Sequence, residues 1–212
     1  MKPAFVFVPD LCTGCEACRV ACGNENGGGH DTGWRQVTTF NPERHPALPT
    51  RHLSLACNHC ERPVCALACP ARAYRRDAAT GALLLDEAKC IGCRYCSWVC
   101  PYDAPRFDEA RGVMTKCTFC LHRLEAGLTP SCAAACPTGA LGTGGRAPAG
   151  AGAAGNSVAT TPPEPSFHGL GAFGLGAALV VKPPRRTTPP EGLVAGEAGG
   201  EPPSFPPRPR KV

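Results

Sequence analysis

The sequence predicts an α+β fold of short strands and short helices that is organised by sulfur. Long elements are disfavoured because 25 glycines and 24 prolines are spread over 212 residues. Only 2 Trp, 3 Tyr and 8 Phe are available to fill an interior. In contrast, 16 cysteines recur in a regular pattern. A group bound to these cysteines must therefore supply what the apolar side chains cannot.

The cysteines form four groups that share one spacing. Each group begins C-x2-C and ends C-x3-C, and only the third cysteine changes its position. The groups are Cys12, Cys15, Cys18, Cys22; Cys57, Cys60, Cys65, Cys69; Cys90, Cys93, Cys96, Cys100; and Cys117, Cys120, Cys132, Cys136. Proline follows the fourth cysteine of the last three groups, as Pro70, Pro101 and Pro137. The first group has Gly23 there.

Short β-rich runs precede the groups and predict strands that lead into the cysteine loops. These runs are residues 4–8, 52–56, 82–85 and 113–116. Residues 73–76 are expected to form a hairpin with residues 82–85, across a turn that ends at Gly81. A further strand is expected at 34–40, inside an insert at 23–56. Trp34 and Trp98 are expected to pack in the interior.

The composition changes after residue 141. Residues 142–212 contain no cysteine but hold 14 glycines and 13 prolines, which interrupt helices and β-ladders. We therefore divide the chain into a cysteine-bearing domain at 1–141 and an extended or partly disordered, partner-binding tail at 142–212. The apolar stretch 167–181 is too short and too rich in glycine to span a bilayer. We expect it to form a strand or an extended arm on a partner.

Three chemistries could use sixteen cysteines. Disulfides fit an even number, but bridges confined to each short group would be strained. Zinc suits C-x2-C pairs, and His59 is the most tempting additional ligand, although we expect a loop or surface histidine there. The run C-x2-C-x2-C-x3-C-P is typical of [4Fe-4S] binding in bacterial ferredoxins, and residues 90–101 reproduce it. Three thiolates then wrap one cube, while the fourth, at the start of a helix, ligates the neighbouring cube.

Charge and targeting features exclude several classes of function. The net charge is +5, but Lys and Arg are scattered, so a nucleic-acid partner is not indicated. Four loaded sites of about −2 each would bring the protein to about −3. No apolar run is long enough for a membrane span, and residues 1–10 lack the features of a signal peptide. We expect a soluble chain with no signal peptide of its own.

No residues for bond-making chemistry accompany the cysteines. The sequence has no G-x-S-x-G, Walker loop, H-E-x-x-H or strand-linked G-x-G-x-x-G motif. The glycine-rich segments 27–29 and 142–145 are expected to be flexible turns. We therefore expect no catalytic residue and a chain that transfers electrons.

Four stretches of the sequence together resemble one known family. They are CTGCEACRVAC, CNHCERPVCALACP, CIGCRYCSWVCPYDAP and GVMTKCTFCLHRLEAGLTPSCAAACPTGAL. They resemble the beta subunit, which carries four iron–sulfur clusters, of the anaerobic dimethyl sulfoxide reductase group in the molybdopterin oxidoreductase superfamily. The resemblance covers residues 4–142 and is specific to the type of subunit. It is weaker about the substrate, since related beta subunits serve several oxidoreductases.

The resemblance implies an α+β fold of two ferredoxin-like double-cluster modules, βαββαβ in type, followed by the extended tail. The first group pairs with the fourth and the second with the third. It also implies four [4Fe-4S] clusters, because Cys93 stands where some relatives have an aromatic residue and a three-iron cluster. The implied ligand sets, named sites 1 to 4 in this order, are Cys12, Cys15, Cys18, Cys136; Cys22, Cys117, Cys120, Cys132; Cys57, Cys60, Cys65, Cys100; and Cys69, Cys90, Cys93, Cys96.

The implied function is electron transfer in anaerobic respiration. A polytopic, quinone-reactive membrane subunit would meet site 4, and a molybdopterin catalytic subunit would meet site 1. These partners would hold the chain at the periphery of the cytoplasmic membrane. The alternative is a soluble polyferredoxin that diffuses between partners, but the long tail and the apolar stretch 167–181 favour a subunit. A zinc scaffold is the third possibility, which metal analysis separates from the others.

Overall fold

The fold is built from strands and helices that are mostly three to five residues long. The computed structural model describes residues 3–27, 33–46, 49–145 and 179–181. The strands are β1 (Pro3–Phe7), β2 (Gln36–Phe40), β3 (Arg51–Leu55), β4 (Tyr74–Arg76), β5 (Leu83–Leu85), β6 (Arg106–Asp108), β7 (Val113–Thr115), β8 (Leu141–Gly145) and β9 (Leu179–Val181). The helices are α1 (Ala17–Glu25), α2 (Val64–Leu67), α3 (Tyr95–Val99), α4 (Leu121–Glu125) and α5 (Ser131–Ala134). This mixture agrees with the α+β class.

The sheets and helix contacts bring distant parts of the sequence together. Strand β1 lies at the centre of a three-stranded sheet, with β8 antiparallel on one side and β9 parallel on the other. The other strands form the antiparallel hairpins β2–β3, β4–β5 and β6–β7. Helix α1 packs on α5, and α2 packs on α3. The first cysteine group therefore lies beside the fourth, and the second beside the third.

The strands expected before the cysteine groups form as β1, β3, β5 and β7. The expected hairpin β4–β5 closes at Gly81, whose φ is +71°. Within its turn, the Thr80 N–H and O–H donate to the Asp77 carboxylate at 2.8 and 2.6 Å. Residues 142–145 are not a turn, because pairing with β1 holds them extended as part of β8.

The C-terminal part is described only in part. Strand β8 crosses the boundary drawn at residue 142. Within the stretch 167–181, residues 179–181 form β9, which pairs with β1 of the same chain. Residues 146–178 and 182–212 lie outside the described residues, so the tail remains a prediction.

The interior is made of cysteines as much as of apolar side chains. Phe5, Phe7 and Phe119 are at most 2% exposed, and six cysteines are buried in the same cluster of side chains. A second, smaller cluster joins Cys65 and Cys96 to Leu83 and Met114. Cysteines therefore make up a large part of the buried interior, in keeping with the small number of large apolar side chains.

Only one of the two tryptophans packs as expected. Trp34 is half-buried against the core, and its Nε1–H donates to Thr115 Oγ1 at 3.1 Å. Trp98 is 74% exposed, so the prediction of an interior position was wrong for it. Helix α3 has only five residues, and its buried residue is Cys96. No other helix or strand of the described residues therefore covers Trp98.

Candidate metal centre

Each C-x2-C loop turns through a left-handed residue directly before its second cysteine. These residues are Gly14, His59, Gly92 and Phe119, with φ of +72°, +41°, +67° and +63°. Glycine adopts this conformation without a steric penalty, whereas other residues require compensating contacts. Compensation is visible for His59 and Phe119, which are buried with their rings 5.2 Å apart, edge to face.

The third cysteine of each group lies near the start of a short helix. Helices α1 and α3 each follow a left-handed residue, Glu16 and Arg94. Helices α2 and α5 each follow a proline in extended or near-extended conformation, Pro63 and Pro130. The four thiols placed in this way are those of Cys18, Cys65, Cys96 and Cys132, and all four cysteines are buried.

The fourth cysteine does not start a helix, contrary to the prediction. Cys100 follows the end of α3 and is extended, with ψ of 113°. The cause is Pro101, since proline disfavours helical backbone in the residue before it. The first group supports this explanation, because Gly23 follows Cys22 and α1 continues to Glu25.

Backbone amides point at the thiols. His59 N–H donates to Cys57 Sγ at 3.4 Å, and Phe119 N–H donates to Cys117 Sγ at the same distance. Three further bonds of 3.3 to 3.4 Å run from Ala73 N–H to Cys69, from Met114 N–H to Cys90 and from Leu141 N–H to Cys136. Hydrogen bonds of this kind stabilise a thiolate and tune the potential of a bound cluster.

The cysteines are free, and their thiols influence one another across the groups. Burial is the largest cause of the raised pKa values, and it raises the pKa of Cys65 to about 12. Neighbouring thiolates raise the pKa further. Cys136 and Cys15 act on Cys12, and Cys132 and Cys22 act on Cys120. Cys57, Cys100 and Cys60 act on Cys65, and Cys90, Cys93 and Cys69 act on Cys96. These neighbours belong to the same implied site as the thiol that they affect, whereas the thiolate with the largest effect on Cys18 is Cys132 and on Cys117 is Cys57, each from a different implied site.

The donor set fits an iron–sulfur cluster. Thiolates that are buried close together repel one another, so the thiols ionise readily only beside a cationic core. A [4Fe-4S] core is cationic. The N–H bonds to sulfur provide the surroundings that such a core requires. In the described part of the chain, no three or more His, Cys, Asp or Glu side chains are grouped around a single metal ion, whereas a [4Fe-4S] cube takes each of its four thiolates on a different iron atom.

One cavity lies at site 3. Its lining includes all four cysteines of that site together with Tyr102 and Lys116. Tyr102 is buried, and burial followed by the nearby thiolates of Cys60 and Cys100 raises its pKa to about 12. The phenol is therefore neutral in this wall.

His59 is a loop residue but not a surface one. It is 2% exposed, and its Nδ1 accepts a hydrogen bond of 3.0 Å from Leu83 N–H. Burial, followed by the charge of Lys116, holds its pKa well below the usual range. The imidazole is therefore neutral, with its proton on Nε2, and it acts as a packing residue beside the cysteine loop.

Free thiols in repeated C-x2-C loops, with amides directed at the sulfurs, define an iron–sulfur protein of the ferredoxin type. Residues 49–146 match a family model that is described as a "4Fe-4S dicluster domain". The beta subunit of the anaerobic dimethyl sulfoxide reductase of Haemophilus influenzae is 37% identical over 146 residues, which cover 65% of this chain and 71% of that one. Its Escherichia coli counterpart is 38% identical over 148 residues, which cover 66% and 72%.

A further relative is named as a subunit of a different enzyme. The beta subunit of the sulfite dehydrogenase of Allochromatium vinosum is 37% identical over 158 residues, covering 65% of this chain and 66% of the relative. The two dimethyl sulfoxide reductase subunits are nevertheless matched over more than two thirds of their length. The protein belongs to the family of anaerobic dimethyl sulfoxide reductase beta subunits, which confirms the resemblance stated from the sequence.

No helix among residues 3–27, 33–46 and 49–145 combines the length and the apolar character needed to cross a bilayer.

Proposed function

We propose that this chain is the electron-transfer subunit of a molybdopterin oxidoreductase and holds four [4Fe-4S] clusters in sites 1 to 4. The observation that carries the proposal is the packing of α1 on α5 and of α2 on α3, which places the first cysteine group beside the fourth and the second beside the third. Cys136, from the far end of the cysteine region, raises the pKa of Cys12. Cys69, from the preceding group, raises the pKa of Cys96. This arrangement supports the exchange of the fourth ligand that is typical of paired ferredoxin clusters.

The sites also lie close to one another. Cys132 of site 2 raises the pKa of Cys18 in site 1, and Cys57 of site 3 raises the pKa of Cys117 in site 2. When bound, the clusters supply one-electron redox chemistry. The chain holds the thiolates, directs N–H groups at the sulfurs and keeps water from the buried cysteines. It acts without a catalytic residue of its own.

Metal analysis tests this proposal. The chain, purified without oxygen, should contain about sixteen iron atoms and as many acid-labile sulfides, since each cube holds four of each. Zinc in place of iron would overturn the proposal, and about eight iron atoms would restrict it to one pair of sites.

We further propose that a polytopic, quinone-reactive membrane subunit covers site 4 and that a molybdopterin catalytic subunit lies at site 1. An exposed apolar surface supports the first contact. It consists of Leu67, Ile91, Tyr95, Trp98 and Val99, on α2, α3 and the intervening cysteine loop, with exposures from 42% to 80%. Surfaces of this kind mark contacts with other proteins. The chain would thereby be held peripherally at the cytoplasmic membrane.

A matched pair of variants tests the membrane contact. Trp98→Glu and Leu128→Glu each place a carboxylate at an exposed apolar position, but only the first lies in this surface. In host membranes, menadiol should reduce the clusters with Leu128→Glu and fail to do so with Trp98→Glu. Dithionite should reduce both, which shows that the clusters are intact. Reduction of both variants by menadiol at the wild-type rate would exclude this surface as the contact.

A further inference from the structure

Two cations are buried among the cysteines. Arg35 is 1% exposed and Lys116 is 3% exposed. Neither forms an ion pair with a carboxylate within the described part of the chain. A buried charge without a partner is strongly unfavourable, so each cation requires a negative group at its side. The cysteine sites are the groups that these cations face.

Arg35 borders sites 1 and 2. Its Nη1–H donates to the carbonyl and hydroxyl oxygens of Ser54 at 3.2 and 3.1 Å, and Ser54 Oγ lies 3.3 Å from Cys18 Sγ. Its Cζ lies 4.4 Å from the centre of the Phe5 ring. The remaining atoms, Nε and Nη2, are buried without a hydrogen bond of regular geometry in the described residues. The guanidinium is thus fixed from one side, and its other side interacts with Cys132.

The free side of Arg35 faces sulfur. Burial by itself would lower its pKa, but Cys132, Cys117 and Cys18 outweigh burial and raise it. In return, the charge of Arg35 counteracts the effect of burial on the pKa of Cys18 and Cys22. These four cysteines belong to sites 1 and 2.

Lys116 borders sites 2 and 3. Its Nζ donates to the Leu83 carbonyl and, at 2.8 Å, to the Cys117 carbonyl. The side chain lines the cavity formed by the cysteines of site 3. Burial is the largest influence on the pKa of Cys65 and Cys117, and Lys116 counteracts it in both. One ammonium group therefore acts on two sites.

We propose that Arg35 and Lys116 raise the reduction potentials of sites 1, 2 and 3 by placing fixed positive charges where these sites meet. The inference rests on the proposed ligand sets. One-electron reduction takes a site from about −2 to about −3, with no bond formed or broken. The electron comes from the neighbouring site or, in a titration, from dithionite. A buried cation stabilises the added charge because the surroundings screen it little.

Site 4 has different surroundings. Arg94, beside Cys93, is 44% exposed in its side chain and pairs with Glu109 at 3.2 Å. Solvent and salt screen such a charge. Among the described residues, Arg35 and Lys116 are the buried Arg and Lys side chains, and neither is among the largest influences on the pKa of Cys96. The two cations therefore favour reduction of sites 1 to 3 over reduction of site 4.

The experiment is a redox titration followed by electron paramagnetic resonance in the cluster-loaded chain. Arg35→Gln should lower the midpoint potentials of sites 1 and 2, and Lys116→Gln those of sites 2 and 3. We expect at least a tenfold change in each reduction equilibrium, which is about 59 mV for one electron. Arg35→Lys and Lys116→Arg should keep most of the wild-type potential. Arg94→Gln, the exposed control, should leave site 4 within a twofold change.

Each result decides the inference. Unchanged midpoints in the two Gln variants, with all iron retained, would overturn it and leave the electron-transfer proposal intact. If the Gln variants lose iron while the charge-keeping variants retain it, the sites need the cations, which supports the inference. If all four variants lose iron alike, side-chain shape matters rather than charge, and the inference fails. Absence of iron from the wild-type chain would instead refute the proposed function.

Discussion

Site 4 and the junction of sites 1 and 2 use the same cysteine spacing in opposite surroundings. At the junction, Arg35 is buried beneath Phe5 and faces thiols on its free side. At site 4, Ile91 and Trp98 are 68% and 74% exposed, and the nearby cation Arg94 is open to solvent. The spacing therefore sets the metal chemistry, whereas the surroundings divide the molecule into a charge-stabilising interior and an end suited to docking.

This contrast has an electrostatic consequence. A buried cation acts across several ångströms because little polarisable water lies around it, whereas an exposed one is screened. The interior therefore depends on the clusters for its charge balance. The exposed end of the molecule depends on them much less.

The largest effect is expected from removing the clusters. Without them, Arg35 and Lys116 lose their negative partners, and the cysteine-rich interior loses what it packs around. We expect iron release and loss of far-ultraviolet circular dichroism to coincide during anaerobic treatment with acid or a chelator. A cooperative melt of iron-free protein with native-like dichroism would contradict this expectation.

Next in size is a glycine substitution at site 4. Gly92 has φ of +67°, and a Cβ placed there would lie 2.4 Å from the Gly112 carbonyl oxygen. Gly139 has nearly the same φ, +66°, with open space around it. Both alanine variants carry the left-handed penalty of about 1–2 kcal/mol. Only Gly92→Ala adds a backbone clash.

We therefore expect Gly92→Ala to lose about a quarter of the iron, that of site 4, and Gly139→Ala to retain all of it. Iron analysis and resonance spectra of the two purified variants provide the measurement. Equal iron content in the two variants would show that the loop at site 4 can shift away from Gly112.

A smaller and more selective effect is expected from exchanging single thiols in the interior. Cys136→Ser should perturb the signal of site 1, because Cys136 influences Cys12. Cys132→Ser should perturb site 2, because Cys132 belongs to the proposed ligand set of site 2 and raises the pKa of Cys120 and Cys22 in the same set. Paramagnetic resonance of the reduced variants separates the two. If both variants lose the same signal, the crossed ligand sets are wrong.

The smallest effect is expected from Tyr74→Phe at site 4. Burial raises the pKa of Cys96, and the neighbouring Tyr74 hydroxyl, which has no hydrogen bond of regular geometry among the described residues, counteracts it. Burial also raises the pKa of Tyr74, so its hydroxyl stays neutral and protonated. Removing a neutral donor should lower the potential of site 4 by less than Arg35→Gln lowers site 2. A redox titration compares them, and an equal shift would refute the distinction between neutral and charged surroundings.

Local patterns were sufficient to predict the strands next to the cysteine groups. The runs at 4–8, 52–56, 82–85 and 113–116 are apolar or β-branched in character, and the turn residues Asp77 and Gly81 mark the hairpin between two of them. Strand β8 was not predicted, because its glycines have no strand preference and only the ladder with β1 holds them extended. Nor does the sequence identify Trp98 as exposed, since exposure depends on what packs over a helix.

By itself, the sequence determined the chemistry of this protein: four cysteine groups, their spacing and the family to which they belong. Cysteine supplies the thiolate that a cluster binds, and a C-x2-C loop is short enough to fix its own geometry. Only the tertiary structure decided which groups meet, that Arg35 from the insert reaches Cys132, and that Lys116 lies between two sites. These contacts join residues far apart in the chain, and burial sets their strength because a charge acts strongly only where water is absent.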